Sequence, residues 1–303
     1  MTLLFLRRVV AAVAAASLAL ASPPAKAAYS SGVIVTRLED PRILESSGVA
    51  ASNTPGVIYT HNDSGDGPYF YAISLASGRT LARYDVTDAV AFDWEDMARG
   101  PGSTGGTSLW LGDIGDNLLI RDQIVIYEVA EPDVDTSSEG LELSAPLVRA
   151  WHLAYPDVAH DAESILAIDG GRLAIVTKER SGLSHVYEAT LDPAAERITM
   201  RHIATIPIAA FSTKVSANAL GGLQATGAAM SPDGSKVVVR TYIDALEWPV
   251  VGGDLATAFA SIPERTKLET TVQGEGITYA ADGASLLTTT EGGRSPVHRY
   301  AAT

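Results

Sequence analysis

No cysteine occurs anywhere in the 303 residues. Disulfides, thiol nucleophiles, lipidated cysteines and cysteine metal sites are therefore excluded. Basic residues are scarce, 22 Lys and Arg against 36 Asp and Glu, so the surface repels nucleic acid and anionic membranes. Long apolar runs are also missing. The one short run, residues 9–21, falls below the roughly 20 residues that span a bilayer, so stable membrane insertion is not expected. That run follows Arg7 and Arg8 and precedes the small-x-small tripeptide Ala25-Lys26-Ala27. Residues 1–28 thus read as an export signal, by general secretion or the twin-arginine route, with the mature protein secreted and soluble. Removing Arg7, Arg8 and Lys26 leaves 19 basic against 36 acidic residues, a net of −17. No G-x-S-x-G elbow, P-loop or post-strand G-x-G-x-x-G is found.

What the sequence does contain is a repeat. A small or acidic pair followed by an aliphatic residue or Met returns five times: "ESSGVA" at Glu45, "DWEDMA" at Asp93, "DAESIL" at Asp161, "TGAAMS" at Thr226 and "QGEGIT" at Gln273. Each copy precedes a β-rich run such as "GVIYTHND", "SLWLGDIGDN" or "KVVVRTY", then a third run and in most units a fourth. Turn signals such as "SPDG" and "AADG" separate them. Four short strands per unit predict an all-β chain, a single β-propeller of four-stranded antiparallel blades over residues 29–303. Taking Ser47, Glu95, Glu163, Ala228 and Glu275 as equivalent gives spacings of 48, 68, 65 and 47 residues. That is five blades, with a sixth, degenerate blade as the alternative. The last unit lacks a fourth strand, and "GVIVTRLE" from Gly32 is expected to supply it and close the ring.

The first strand of a blade lines the channel, so Glu95, Glu163 and Glu275 are expected at one level of a narrow ring. The ends of the second runs, Asp63, Asp113 with Asp116, Lys178, Arg240 and Glu291, should crowd the same face. Any one of these segments taken alone reads as an ordinary Asp/Asn/Gly turn, and recurrence at one level favours a site. "NDSGDG" opens like an EF-hand loop, but its twelfth position is Ile73, where a bidentate acid is needed. Of the six histidines only His61 joins the ring, and no zinc spacing is present. The four tryptophans read as blade packing, with Trp94 placed beside Glu95.

"HNDSGD", "DWEDMA", "LWLGDIGDN", "DAESIL", "SPDGSKVVVRTY" and "QGEGITY" resemble the secreted bacterial β-propellers grouped loosely with phytase-like and SdiA-regulated propellers, over nearly all of the mature chain. The resemblance implies an acidic face that binds calcium and a phosphoester. The expected function is a secreted, calcium-dependent hydrolase of a phosphoester. Asp63, Glu95, Asp113, Asp116, Glu163, Glu275 and Glu291 would hold metal, Lys178 and Arg240 would neutralise developing charge, and His61 would transfer protons. The alternatives are a non-catalytic extracellular scaffold with a structural cation, and a lactonase. The partner is a small molecule or extracellular ligand, and the protein is expected to be a monomer.

Overall fold

Five apolar clusters, one at each interface between neighbouring blades, build the interior of the protein in a computed structural model that describes residues 29–212 and 223–303. The export signal expected at residues 1–28 lies outside the described residues. Blade one comprises β2 (Ser46–Ala51), β3 (Val57–Asn62), β4 (Tyr69–Ser74) and β5 (Thr80–Thr87), after β1 (Val33–Arg37). Blade two comprises β6 (Trp94–Pro101), β7 (Thr107–Asp113), β8 (Ile124–Ala130) and β9 (Leu141–Ala154). Blade three has β10 (Ala162–Asp169), β11 (Arg172–Thr177), β12 (Ser184–Thr190) and, after the two-residue β13 (Ile198–Thr199), β14 (Arg201–Ile206). Blade four has β15 (Ala225–Met230), β16 (Lys236–Thr241), β17 (Asp244–Pro249) and β18 (Glu264–Lys267). Blade five has β19 (Gly274–Tyr279), β20 (Ser285–Thr290), β21 (Pro296–Ala301) and β1.

The innermost strands β2, β6, β10, β15 and β19 pack in a closed circle, so the five-blade reading holds and the six-blade alternative falls. Closure also holds: β1 pairs antiparallel with β21, Val33 opposite Arg299 and Arg37 opposite Pro296. The long spacing between the first strands of blades two and three is used by β9. Its first half pairs in parallel with β5, Ala82 opposite Leu141, and its second half antiparallel with β8. One strand therefore stitches blade one to blade two, and no strands among the described residues are left over for a hidden blade. Among the described residues the α-helices are α1 (Ile208–Phe211) and α2 (Leu255–Phe259), and no helix among them is long and apolar enough to cross a membrane.

The repeat has a packing cause. Each first strand breaks register just after its start, as between Ser46 and Val49 and between Trp94 and Asp96. The equivalent residues there are Gly48, Asp96, Ser164, Gly227 and Gly276, where neighbouring inner strands come closest. A Cβ on Gly276 would stand 2.6 Å from the Ser47 carbonyl oxygen, and one on Gly48 would stand 2.5 Å from the Met97 amide. Four small residues leave room for one carboxylate. Asp96 fills it, accepting the amides of Met97 (2.8 Å), Ile165 (2.9 Å) and Ala228 (3.5 Å) from three successive blades. Burial holds its pKa well above the usual range for a carboxyl, even against those three donors. The register also corrects one alignment. Ala225 pairs with Thr241 as Gly274 pairs with Thr290, so Thr226, and not Ala228, is level with Ser47, Glu95, Glu163 and Glu275.

Candidate functional site

The second strand of a blade ends beside the start of the first, held by a recurring backbone bond. The amides of Asp63, Ile114, Lys178 and Glu291 donate to the carbonyls of Glu45, Asp93, Asp161 and Gln273 at 2.9–3.1 Å. That arrangement brings residues of four blades to one mouth of the channel. Asp63, Asp93 and Glu95 each offer a carboxylate oxygen within 4.8 Å of the other two. Glu95 is only 3% exposed. Burial first, then Asp63 and Asp93, raise its pKa well above the usual range. Asp93 is pushed up to about 6 by burial and then by Asp63 and Asp161. Among the described residues, no Lys or Arg forms a salt bridge with any of the three.

Lys178, paired with Glu163, stands within electrostatic reach of Glu95. Its charge also draws down the pKa values of Glu95, Asp161, Glu275 and Glu291. Glu275 nevertheless sits at about 7, because burial outweighs the pull of Lys178 and Arg240. One carboxylate oxygen of Glu163 and one of Glu275 are buried with no partner among the described residues. Glu291 lies half-buried at the rim, accepting from Gln273 Nε2 at 2.8 Å, and its pKa is raised by burial. Next to Lys178 opens a cleft of about 640 Å³ lined in part by His160, Asp161, Glu179, Arg180, Gln224 and Tyr242.

Of the seven expected metal ligands, Asp63 and Glu95 stand in the trio, while Glu163, Glu275 and Glu291 surround Lys178 and the rim. Asp113 and Asp116 do not belong to either set. Asp113 is buried, with its Oδ1 2.8 Å from Arg121 Nη1 and its two oxygens accepting the amides of Phe92 and Asp93 at 3.2 and 3.3 Å. Asp116 accepts the amides of Ile120 and Arg121 at 3.0 and 2.8 Å. Both carboxylates are occupied in building the loop after β7. Within "HNDSGDG" the labour divides as well. Asn62 braces the chain, its Oδ1 accepting from the amides of Leu44 and Glu45 and its Nδ2 donating to Arg42 O and Asp66 Oδ2, and that bracing presents Asp63 to the mouth.

Two of the expected catalytic groups lie elsewhere. His61 is fully buried between blades one and two, bonded through Nδ1 to Asn62 O at 2.7 Å and set edge-on to Trp94 at 5.6 Å. Burial depresses its pKa, so it is a neutral wall residue. Arg240 is 1% exposed, and its Nη1 donates to Gly276 O at 2.6 Å and Thr289 O at 2.8 Å. Burial lowers its pKa to about 10, still far above neutrality, so it is a cation that fastens blade four to blade five. Beside the expected residues stand Asp93 and Asp161, the openings of two repeat copies, and His160 in the cleft, while Tyr242, at the end of the fourth unit's second run, lines the cleft as well. Their signal was present: each lies within two residues of a strand end that faces the mouth.

No protein-family model and no curated protein matches the chain. Among solved structures, the chain is similar to the WD40 repeats of RRP9, with 10% identity, a TM-score of 0.47 and coverage of 91% of this chain and 100% of that one. It is similar to the β-propeller domain of Myceliophteria thermophila Cps50 (Swd1), with 10% identity, a TM-score of 0.43 and coverage of 90% and 100%. It is also similar to a protein described as a 6-phosphogluconolactonase from Bacteroides uniformis, with 10% identity, a TM-score of 0.41 and coverage of 85% and 68%.

Proposed function

We propose that the protein is an exported β-propeller that holds calcium at the channel mouth and hydrolyses a phosphoester there. The carrying observation is the trio Asp63, Asp93 and Glu95, three carboxylates with oxygens within 4.8 Å of one another and no salt-bridged cation among the described residues. Like charges so close raise one another's pKa unless a cation lies among them. The donor set is all oxygen, with no imidazole or thiolate, which suits a hard cation of the calcium type. The buried Glu163 oxygen that has no hydrogen-bond partner among the described residues is a further candidate donor. Such a cation would act as a Lewis acid toward a phosphoryl oxygen.

The protein's own groups take the remaining tasks. Lys178, held by Glu163, neutralises a second oxygen of the anionic group. Glu275, at about 7, replaces His61 as the group able to accept or return a proton near neutral pH. Arg240 takes no part. The cleft beside Lys178 receives the rest of the ligand.

A non-catalytic scaffold with a structural cation is the second reading. It is favoured by the burial of His61 and Arg240 and by the lack, among the described residues at the mouth, of a hydroxyl nucleophile bonded to a base. Calorimetric titration with calcium and a turnover panel of phosphomonoesters, phosphodiesters, carboxyl esters and lactones separate the two. On the first reading the protein binds calcium, turns over a phosphoester, and loses both in Glu95→Gln, while Glu139→Gln on the exposed outer surface changes neither. Calcium binding without turnover of any panel member leaves the scaffold. Turnover of a lactone alone replaces the substrate class, and failure to bind calcium removes the site.

A further inference from the structure

His160 lines the cleft beside Lys178 and is only 9% exposed. Both of its ring nitrogens meet acceptors. Nδ1 lies 3.0 Å from Glu179 Oε1, in the loop after β11, and Nε2 lies 3.3 Å from Asp157 Oδ1. The Tyr187 hydroxyl of β12 completes the group. It donates to Asp157 Oδ2 at 2.7 Å and lies 2.8 Å from His160 Nε2. Burial, then the bond to Asp157, raise the pKa of this phenol above its ordinary value, so it keeps its one hydrogen. Other titratable groups stand further off. The rings of Tyr155 and His185 lie 5.0 and 5.7 Å away, with His202 5.4 Å beyond His185. Asp161, Lys178 and Arg180 share the cleft.

The hydrogens of this group can be counted. An ionised carboxylate only accepts, so Glu179 draws a hydrogen from Nδ1. Tyr187 has one hydrogen and gives it to Asp157, so Nε2 must carry its own. All four contacts are satisfied together only by the imidazolium, which donates from both nitrogens. When the ring loses one hydrogen, the cheaper loss is at Nε2. Tyr187 then turns its hydrogen to Nε2, and Nδ1 keeps its bond to Glu179. Asp157 loses both of its bonds to the group and turns to water, which its side chain, 50% exposed against 27% for Glu179, reaches more readily. Val158 and Ala159, the next two residues, line the cleft. The charge on one ring thus decides whether that stretch of the lining is fastened.

We propose that His160 is a pH-operated latch of the cleft. As the imidazolium it holds Asp157, and with it the Val158 stretch of the lining, in place. As the neutral Nδ1–H tautomer it lets them go. The lining is therefore fixed in acid and freed as pH rises through the range where imidazoles lose their charge, between about pH 5 and 8. The consequence for ligand entry rests on the proposed use of this cleft to receive the ligand. The latch itself needs neither calcium nor substrate.

The test is a pH titration of the full chain, without calcium, by nuclear magnetic resonance of the histidine ring nitrogens and the backbone amides. The His160 ring signals are those lost in His160→Gln. Both nitrogens should be protonated in acid, Nε2 should lose its proton first, and the Asp157 and Val158 amides should shift in the same step. In Asp157→Asn the side-chain amide can donate to the neutral Nε2 while its oxygen accepts from Tyr187. The Val158 signal should then stay near its acid position while His160 still titrates. Asp157 is half exposed, so this variant tests the latch even where His160→Gln does not fold. Loss of the proton from Nδ1 would overturn the proposal in favour of release of Glu179. A Val158 amide that does not follow the His160 step, or one that moves in Asp157→Asn as in the wild type, would overturn it outright. A chain that shows the step yet binds no calcium keeps the latch and loses the proposed cation site, and calcium binding without the step does the reverse.

Discussion

Lys178 forms its salt bridge with one oxygen of Glu163 and leaves the other buried without a hydrogen-bond partner among the described residues. Both side chains are largely removed from water, 16% and 6% exposed. Breaking such a pair from one side strands a charge, whereas removing both partners does not.

Lys178→Met should therefore lower stability in urea titration by about 3 kcal/mol, and adding Glu163→Gln should restore most of it. Additive losses in the double variant would show that the pair is not coupled. If Lys178 also meets substrate, the stable double variant should stay inactive.

Arg240 should behave in the opposite way to a group that meets substrate. Arg240→Met removes the donor to Gly276 O and Thr289 O and leaves two buried carbonyls unsatisfied, at a cost of about 2–3 kcal/mol. Calcium binding by the folded variant should be unchanged, because the guanidinium faces the seam between blades four and five. A variant that melts normally yet fails to bind calcium would return Arg240 to the mouth.

The repeat made the strands and the blade count legible, because both follow from a packing rule written into the sequence at each first strand. It placed Asp63 and Glu95 near one another for the same reason. Arg240 was placed two residues away from its ring position. Ala225 pairs with Thr241 as Gly274 pairs with Thr290, so Tyr242 is level with Glu291, while the Arg240 guanidinium bonds the carbonyls of Gly276 and Thr289 in blade five. Asp113 and Asp116 were misread because Arg121 and the amide of Ile120, which claim them, are tied to them by loop geometry that no periodicity records. Asp93 was passed over as a turn residue opening a motif, though its two-residue offset from Glu95 already set both at one strand end.

Without divalent cation, the mouth should make the protein less stable as pH rises. Asp93 at about 6, Glu275 at about 7 and Glu95 well above the usual range hold protons in the folded state that the unfolded chain releases near 4. Stability from a raised pKa is present below the unfolded value and lost as pH climbs through the folded one. In chelator the melting temperature should fall between about pH 5 and 8, less steeply in Asp93→Asn. Calcium binds the deprotonated acids, so its increment should grow over the same window. A flat profile in chelator, matched by the variant, would contradict this assignment.

Closure of the ring rests on more than the β1–β21 ladder. Leu38, just past β1, is fully buried in the cluster between blades five and one. Tyr29, just before it, donates through its hydroxyl to Glu247 at 2.6 Å, the same Oε2 that Tyr279 reaches at 2.8 Å from blade five. The N-terminal segment thus covers an edge, fills a core position and ties blade five to blade four. Deleting residues 29–38 removes all three at once. It exposes the outer edge of β21 to pairing with other chains, so the deletion should aggregate and lose its cooperative melting transition. Leu38→Ala isolates the core contribution and should cost about 2–5 kcal/mol, with cooperativity kept. A deletion that stays monomeric and melts as the wild type does would show that the ring holds without its N-terminal strand.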